Sequence, residues 1–263
     1  MTANTGRFQG WHVAVTGAGT GIGRAIALRA AAEGARLSLF ARDVKRLEET
    51  AAEIRKRGGA EAACFALDVR ERALVDRRFA EAREKHGQLS ALVANSGIGG
   101  PNAAGAGDRF DELVATNLTG TYSCLRAAEK HLAPAGKPRH LVVLASILAR
   151  IGVAGYTGYC ASKAGLLGLV RALAMELAPS GVQVNAVCPG WVDTAMARQG
   201  IEGMAKAMRV TPDEAHAVAM QDVPLGKMGT PEEVAGVVAW LLSPDARGVT
   251  GQGIDVNGGA WMG

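Results

Sequence analysis

Trp11-His12-Val13-Ala14-Val15-Thr16-Gly17-Ala18-Gly19-Thr20-Gly21-Ile22-Gly23 is the stretch on which the reading of this chain turns. Residues 11–15 form a short apolar run rich in β-formers, and residues 24–33 read as an alanine-rich helix that Gly34 stops. The segment between them is a glycine-rich strand-to-helix turn. Gly17, Gly21 and Gly23 permit a tight bend and let a pyrophosphate approach the amides at the helix start. The spacing is G-x-x-x-G-x-G rather than the commoner G-x-G-x-x-G, with Gly19 as a fourth glycine. Gly17, Gly19, Thr20, Gly21 and Ile22 are therefore candidate cofactor-binding residues. Taken alone, the motif also reads as an ordinary βα turn.

Outward from this turn, strands and helices alternate to the end of the chain without a linker or a repeat. Further strands are expected at residues 37–40, 62–66, 89–94, 140–145, 182–187 and 253–256. Helices are expected at 44–56, 71–86, around 110–132, at 155–178 and at 231–242. Near-continuous apolar strands between helices argue for a parallel sheet covered on both faces, wound in both directions from its middle. Ligands of such a sheet sit beyond the carboxyl ends of the strands. The loops after Val15, Phe40, Ala66, Ala94, Ala145 and Val187 should thus ring one crevice.

Composition agrees with one α/β unit over 1–263: 48% of residues are apolar, enough for a large core, and 35 are glycine, in keeping with many tight turns. The net charge of +4 comes from basic residues spread along the chain, which argues against nucleic acid and for a site that takes an anionic cofactor. Cys64, Cys124, Cys160 and Cys188 lack metal-ligand spacing, so no metal is expected and a reducing, cytoplasmic setting fits. Residues 1–10 contain no signal-peptide-like stretch, and the longest apolar run is too short to cross a membrane.

Where the second strand ends, an acidic residue would accept the 2′-hydroxyl of NAD(H). Ala41 stands there and Arg42 follows. A guanidinium grips a 2′-phosphate bidentately, which favours NADP(H). Asp43 keeps NAD(H) open, since a slip of two residues would supply a carboxylate. Asp68, after the third strand, could accept from the adenine amino group or cap the helix that follows.

The second constellation is Ser146, Tyr159 and Lys163. Tyr159 and Lys163 are i and i+4 on one expected helix and share a face. A free phenol titrates near 10, so the neighbouring ammonium, with the positive nicotinamide of an oxidised cofactor, is expected to lower it. Ser146, at a strand end, can donate to a carbonyl oxygen on which charge develops. Each residue alone has a structural explanation, whereas the three together at the crevice make a proton-transfer device.

On these residues the chain resembles the short-chain dehydrogenase/reductase family over nearly its whole length. The resemblance rests on Gly17/Gly21/Ile22/Gly23, Asp68-Val69, Asn117, Ser146, Tyr159 with Lys163, Asn185, and Pro189-Gly190 followed by Thr194. It implies a single Rossmann domain with a seven-stranded parallel sheet and a homotetramer. It also implies that Asn117 holds a proton-relaying water, that Lys163 binds the nicotinamide ribose and that Thr194 meets the carboxamide. Val69, Asn95, Gly97, Pro189, Gly190 and Val192 complete the expected cofactor contacts. One departure is Ala94-Asn95-Ser96-Gly97, where the family usually has Asn-Asn-Ala-Gly. Residues 185–190, together with Phe40-Ala41-Arg42, look like NADPH-dependent 3-oxoacyl and polyketide ketoreductases.

At the substrate end, residues 195–220 correspond to the family's lid and carry Met196, Met204, Met208 and Met220, which suit either an irregular substrate or a helix-packing core. The loop 97–107 is the opposite wall. Ile147, Leu148, Val153, Tyr156 and Trp191 are candidate pocket residues. The expected activity is NADP(H)-linked interconversion of a ketone and a secondary alcohol, on a 3-oxoacyl thioester or cyclic ketone. An NAD-dependent catabolic alcohol dehydrogenase is the alternative. A non-catalytic dinucleotide-binding subunit would be expected to have a broken Ser/Tyr/Lys set, and the set here is intact.

Overall fold

The computed structural model describes residues 6–263; the reading of the first five residues lies outside the described residues. Seven strands form one sheet: β1 (His12–Thr16), β2 (Arg36–Ala41), β3 (Ala62–Ala66), β4 (Ala91–Ala94), β5 (His140–Leu144), β6 (Gln183–Pro189) and β7 (Gly253–Val256). Their order is β3-β2-β1-β4-β5-β6-β7 and every pairing is parallel. The winding reverses between β1 and β4, so the crevice opens at their carboxyl ends.

The strand period of two divides each strand between two cores. In β5, Leu141 and Val143 join Val75, Phe79, Leu125 and Leu166 on one face. Val142 and Leu144 join Ile26, Leu47, Val234 and Val238 on the other. The first face is covered by α3 (Arg72–His86), α5 (Gly120–Glu129) and α6 (Thr157–Leu177), the second by α1 (Gly21–Ala32), α2 (Val44–Lys56) and α9 (Pro231–Leu242). Stacking of Phe40 on Phe79 at 4.9 Å anchors β2 to α3.

Several boundaries move for local reasons. Helix α1 begins at Gly21, inside the glycine turn. Leu89 leaves the ladder of β4 and bridges Leu132 instead. The single helix expected around 110–132 is broken into α4 (Phe110–Val114), a π-helical turn (Ala115–Thr119) and α5. One wide turn inside a helix re-aims a side chain, here Asn117. The segment after Thr194 folds into α7 (Ala195–Met208) and α8 (Pro212–Gln221), joined through Arg209 at φ +58°. Helices α8 and α9 both start with a proline and a Thr/Glu capping box, which fixes their first turns.

The amino-terminal edge of the sheet holds buried histidines. The His12 ring lies 2.8 Å from Gly87 O through Nδ1 and 2.8 Å from Ser38 Oγ through Nε2, while His140 stacks on Trp11 at 5.5 Å. Burial pushes both rings down to about 4.

Candidate active site

Gly17, at φ +66°, takes a conformation only glycine adopts freely, and a Cβ there would lie 2.7 Å from Asn95 Nδ2. A Cβ on Gly23 would lie 2.2 Å from Gly17 O, so the start of α1 packs directly on the turn's own backbone. Asn95 fastens this turn to β4. Its Nδ2 donates to Thr16 O at 3.0 Å and Gly17 O at 3.2 Å, and Thr16 Oγ1 accepts from the amides of Asn95 and Ser96. The Asn95 amide is thus spent on the turn, and the crevice wall is made by Ser96, Gly97 and Ile98. Helix α1 has no side-chain cap bond and no acidic residue in its first turn, so its amino end stays electropositive beside Gly17, Gly19 and Thr20. This cradle fits a dinucleotide pyrophosphate.

Beyond β2, the crevice is lined by Ala41, Arg42, Asp43 and Arg46. Asp43 caps α2, accepting from Arg46 N at 3.3 Å, and pairs with the Arg46 guanidinium at 3.2 Å. The carboxylate that kept NAD(H) open is therefore engaged by its own helix. A Cβ on Gly19 would lie 2.9 Å from the Arg46 Cβ, so Arg46 is a second arginine of the crevice, next to the glycine turn. Sequence reading missed Arg46; its position three residues after a helix-capping aspartate was the available signal. Asp68 receives the Arg70 guanidinium at 2.6 Å, which holds its carboxyl below the usual range. Asp68 also accepts from Arg70 N at 3.0 Å. It does not cap α3, whose first residue is Arg72: the Asp68 carboxylate closes a local turn instead. Val69 lies against Gly120, where a Cβ would sit 2.6 Å from Val69 Cγ2.

Ser146 follows β5, Tyr159 and Lys163 lie in the first two turns of α6, and Asn117 comes from the π-helical turn. Burial dominates and raises the Tyr159 phenol above its ordinary value, against the smaller effect of the Ser146 hydroxyl, which favours the phenolate. The lowering expected from Lys163 does not develop in the protein alone. Lys163 Nζ stands 5.7 Å from the centre of the Tyr159 ring and donates to Leu144 O at 2.8 Å. Its own charge is penalised by burial, which brings it down to about 8. Asn117 is fully buried: Oδ1 accepts from Ile98 N at 2.8 Å, and Nδ2 donates to Ile98 O at 3.0 Å and Ser162 Oγ at 3.1 Å. A Cβ on Gly97 would lie 3.2 Å from Asn117 Oδ1 and 3.6 Å from Lys163 Nζ, so these groups converge on one bare glycine.

The family model described as Enoyl-(Acyl carrier protein) reductase matches residues 17–260. The 3-oxoacyl-acyl-carrier-protein reductase FabG of Pseudomonas aeruginosa is 36% identical over 256 residues, covering 97% of this chain and 98% of that one. The 2-(S)-hydroxypropyl-CoM dehydrogenase 3 of Xanthobacter autotrophicus is 35% identical, with 96% and 97% covered. The crystal structure of a single-residue variant of actinorhodin polyketide ketoreductase with NADPH superposes with a TM-score of 0.88 at 36% identity, over 95% of this chain and 97% of that one. The chain belongs to the short-chain dehydrogenase/reductase family. It is an NAD(P)-dependent oxidoreductase with that family's parallel Rossmann sheet. Among the described residues, no helix is long and apolar enough to cross a membrane.

The remaining expected site residues of this dehydrogenase/reductase divide by environment. Pro189 ends β6, and Gly190 abuts Asn257, where a Cβ would lie 2.9 Å from its Cα. Asn185 bonds Val249 O and Gln252 N, tying β6 to the loop before β7. The Val192 side chain is buried in the core, so only its backbone remains for a ligand. Thr194 caps α7, and its methyl lies 3.1 Å from a Cβ placed on Gly21, over the phosphate turn. Ile147 is buried after Ser146, Leu148 and Tyr156 are partly buried, and Val153 is exposed. Trp191 packs on Gly200 and on the small core between α7 and α8. Met204 and Met220 belong to that core, whereas Met196 is exposed and faces Gly99, with Sδ 3.0 Å from a Cβ built there.

Proposed function

We propose that the protein interconverts a ketone and a secondary alcohol with NADP(H), acting on 3-oxoacyl thioesters or cyclic ketones. The observation that carries this reading is that Lys163, with Tyr159 beside it, reaches Gly97 in the wall of a crevice that also presents Arg42 and Arg46. Gly17, Gly19, Thr20 and the amino end of α1 would hold the pyrophosphate. Arg42 and Arg46 would hold the 2′-phosphate, with Asp43 neutralised by its cap and ion pair. When bound, the nicotinamide supplies or accepts the hydride.

In reduction, Ser146 orients the substrate carbonyl and donates to its oxygen as charge grows there. Tyr159 delivers its proton to that oxygen, and its raised pKa keeps it protonated at neutral pH until charge develops. Lys163, cationic below about 8, steadies the phenolate left behind. Asn117 supports the relay from the π-helical turn. Helices α7 and α8 close over the substrate opposite the loop 97–107, with Met196 against Gly99 as the meeting point. The names of FabG and of the actinorhodin ketoreductase support the substrate class.

Titration of the protein with NADPH and NADH, followed by nicotinamide fluorescence, tests the cofactor reading: NADPH should bind at least about tenfold more tightly. Equal or tighter NADH binding would move the proposal to the NAD-dependent alcohol dehydrogenase. Tyr159→Phe should lower turnover by roughly a hundredfold or more while leaving NADPH affinity unchanged. Undiminished turnover in that variant would remove Tyr159 from the mechanism.

A further inference from the structure

The loop 97–107 contains little secondary structure, yet its middle is held firmly. Asn102 is 8% exposed, and its side chain makes three hydrogen bonds, two to the start of α6 and one to Asp108 just ahead of α4. Oδ1 accepts from Gly158 N at 2.8 Å, and Nδ2 donates to Thr157 Oγ1 at 2.9 Å and to Asp108 Oδ1 at 3.0 Å. Its own amide donates to Gly155 O at 2.8 Å. Helix α6 has no side-chain cap from its N-cap residue, so Asn102 caps it from another part of the chain. Asp108 Oδ1 also accepts from Phe110 N at 3.0 Å, the first amide of α4. One carboxamide thus joins the amino ends of α4 and α6.

These two helices carry the proton machinery. Helix α4 runs directly into the π-helical turn that holds Asn117, and Tyr159 follows Gly158 by one residue. They also touch where Asn102 binds: a Cβ on Gly158 would lie 3.0 Å from both Phe110 Cα and Leu113 Cδ1. We propose that Asn102 is a positioning residue that sets the register between the Asn117 and Tyr159–Lys163 halves of the proton relay. It does so by linking the α6 cap to Asp108. The same anchor holds the loop whose Gly99 meets Met196. The proposal rests on Tyr159 being the proton donor.

The bond polarity provides the test. In Asn102→Asp the carboxylate still accepts from Gly158 N, so the cap survives, but it faces Asp108 with no proton to donate. In Asp108→Ala the Asn102 carboxamide still caps α6 through Gly158 N, and only the bond toward the start of α4 is lost. Two readouts serve all variants. One is kcat with ethyl acetoacetate, a small 3-oxoacyl ester. The other needs no substrate: the phenol absorbance titration of Tyr159, resolved against Tyr159→Phe in a chain with only three tyrosines.

Asn102→Asp should lower kcat about ten- to a hundredfold. It should also bring the Tyr159 titration down toward the ordinary phenol value, as water reaches the ring. Asp108→Ala should move both readouts in the same direction, and NADPH affinity should be constant throughout. Wild-type kcat and titration in either Asn102→Asp or Asp108→Ala would overturn the linkage and leave Asn102 a simple helix cap. An inactive Tyr159→Phe beside an unaffected Asn102→Asp would sink this inference alone. An active Tyr159→Phe would instead sink the functional reading beneath it.

Discussion

Lowering the pH from 7 to 5 should cost this fold about 4 kcal/mol through two histidines remote from the crevice. His12 and His140 titrate near 4 in the folded chain and near 6.5 when unfolded, because each ring is 7% exposed or less and burial penalises its cation. The unfolded chain therefore binds more protons throughout the interval between those values, and stability falls as the pH drops through it. At pH 5 the loss integrates to about 2 kcal/mol per ring, a large part of the roughly 5–15 kcal/mol by which a typical fold is stable. Most carboxylates are still ionised there, so the loss belongs to the histidines. Urea unfolding at pH 7 and pH 5, followed by tryptophan fluorescence, measures it. His140→Phe preserves the ring stacked on Trp11 but removes its titration, so the pH-dependent loss should shrink by about 2 kcal/mol. A pH-independent unfolding free energy in the wild type, or the full loss retained in His140→Phe, would refute the reasoning.

Three other perturbations probe the cofactor end. Arg42→Ala should weaken NADPH about tenfold and leave NADH nearly unchanged, by the usual strength of an exposed charge-assisted contact. Arg46→Ala should have a smaller effect of a few-fold, because that guanidinium must share itself with Asp43; fluorescence titration of both variants decides the order. Gly23→Ala would press a methyl group to 2.2 Å from Gly17 O, so the turn must open. Cofactor binding should be lost together with a drop in the thermal midpoint, and an alanine variant that still binds NADPH would show that the turn is softer than its packing indicates.

Local chemistry made much of this protein readable in advance. The β1 turn, helices α2 and α9 and strands β3 and β7 sit where apolar runs, caps and glycine stops put them, because each signal lies within a few residues of its effect. The pairing of Tyr159 with Lys163 was legible for the same reason, since i and i+4 share a helical face. What the sequence could not show depends on groups brought together from afar. The π-helical turn at Asn117 interrupts a segment whose pattern reads as one helix, and its bonds go to Ile98 and Ser162. Nor could the sequence show that the Asn95 side-chain amide donates to Thr16 and Gly17, which lie almost eighty residues earlier in the chain.

The direction of the Tyr159 shift was likewise a tertiary matter. Spacing supplies the nearby ammonium, but only the packed crevice determines that burial outweighs it and weakens the Lys163 charge as well. The sequence by itself determined the parallel sheet, the glycine turn after β1 and the placing of Tyr159 and Lys163 on one helical face, all of which follow from short-range periodicity and spacing. Only the tertiary structure decided which polar groups are free for a ligand and which are already satisfied, because desolvation and hydrogen bonding are settled by neighbours distant in the chain.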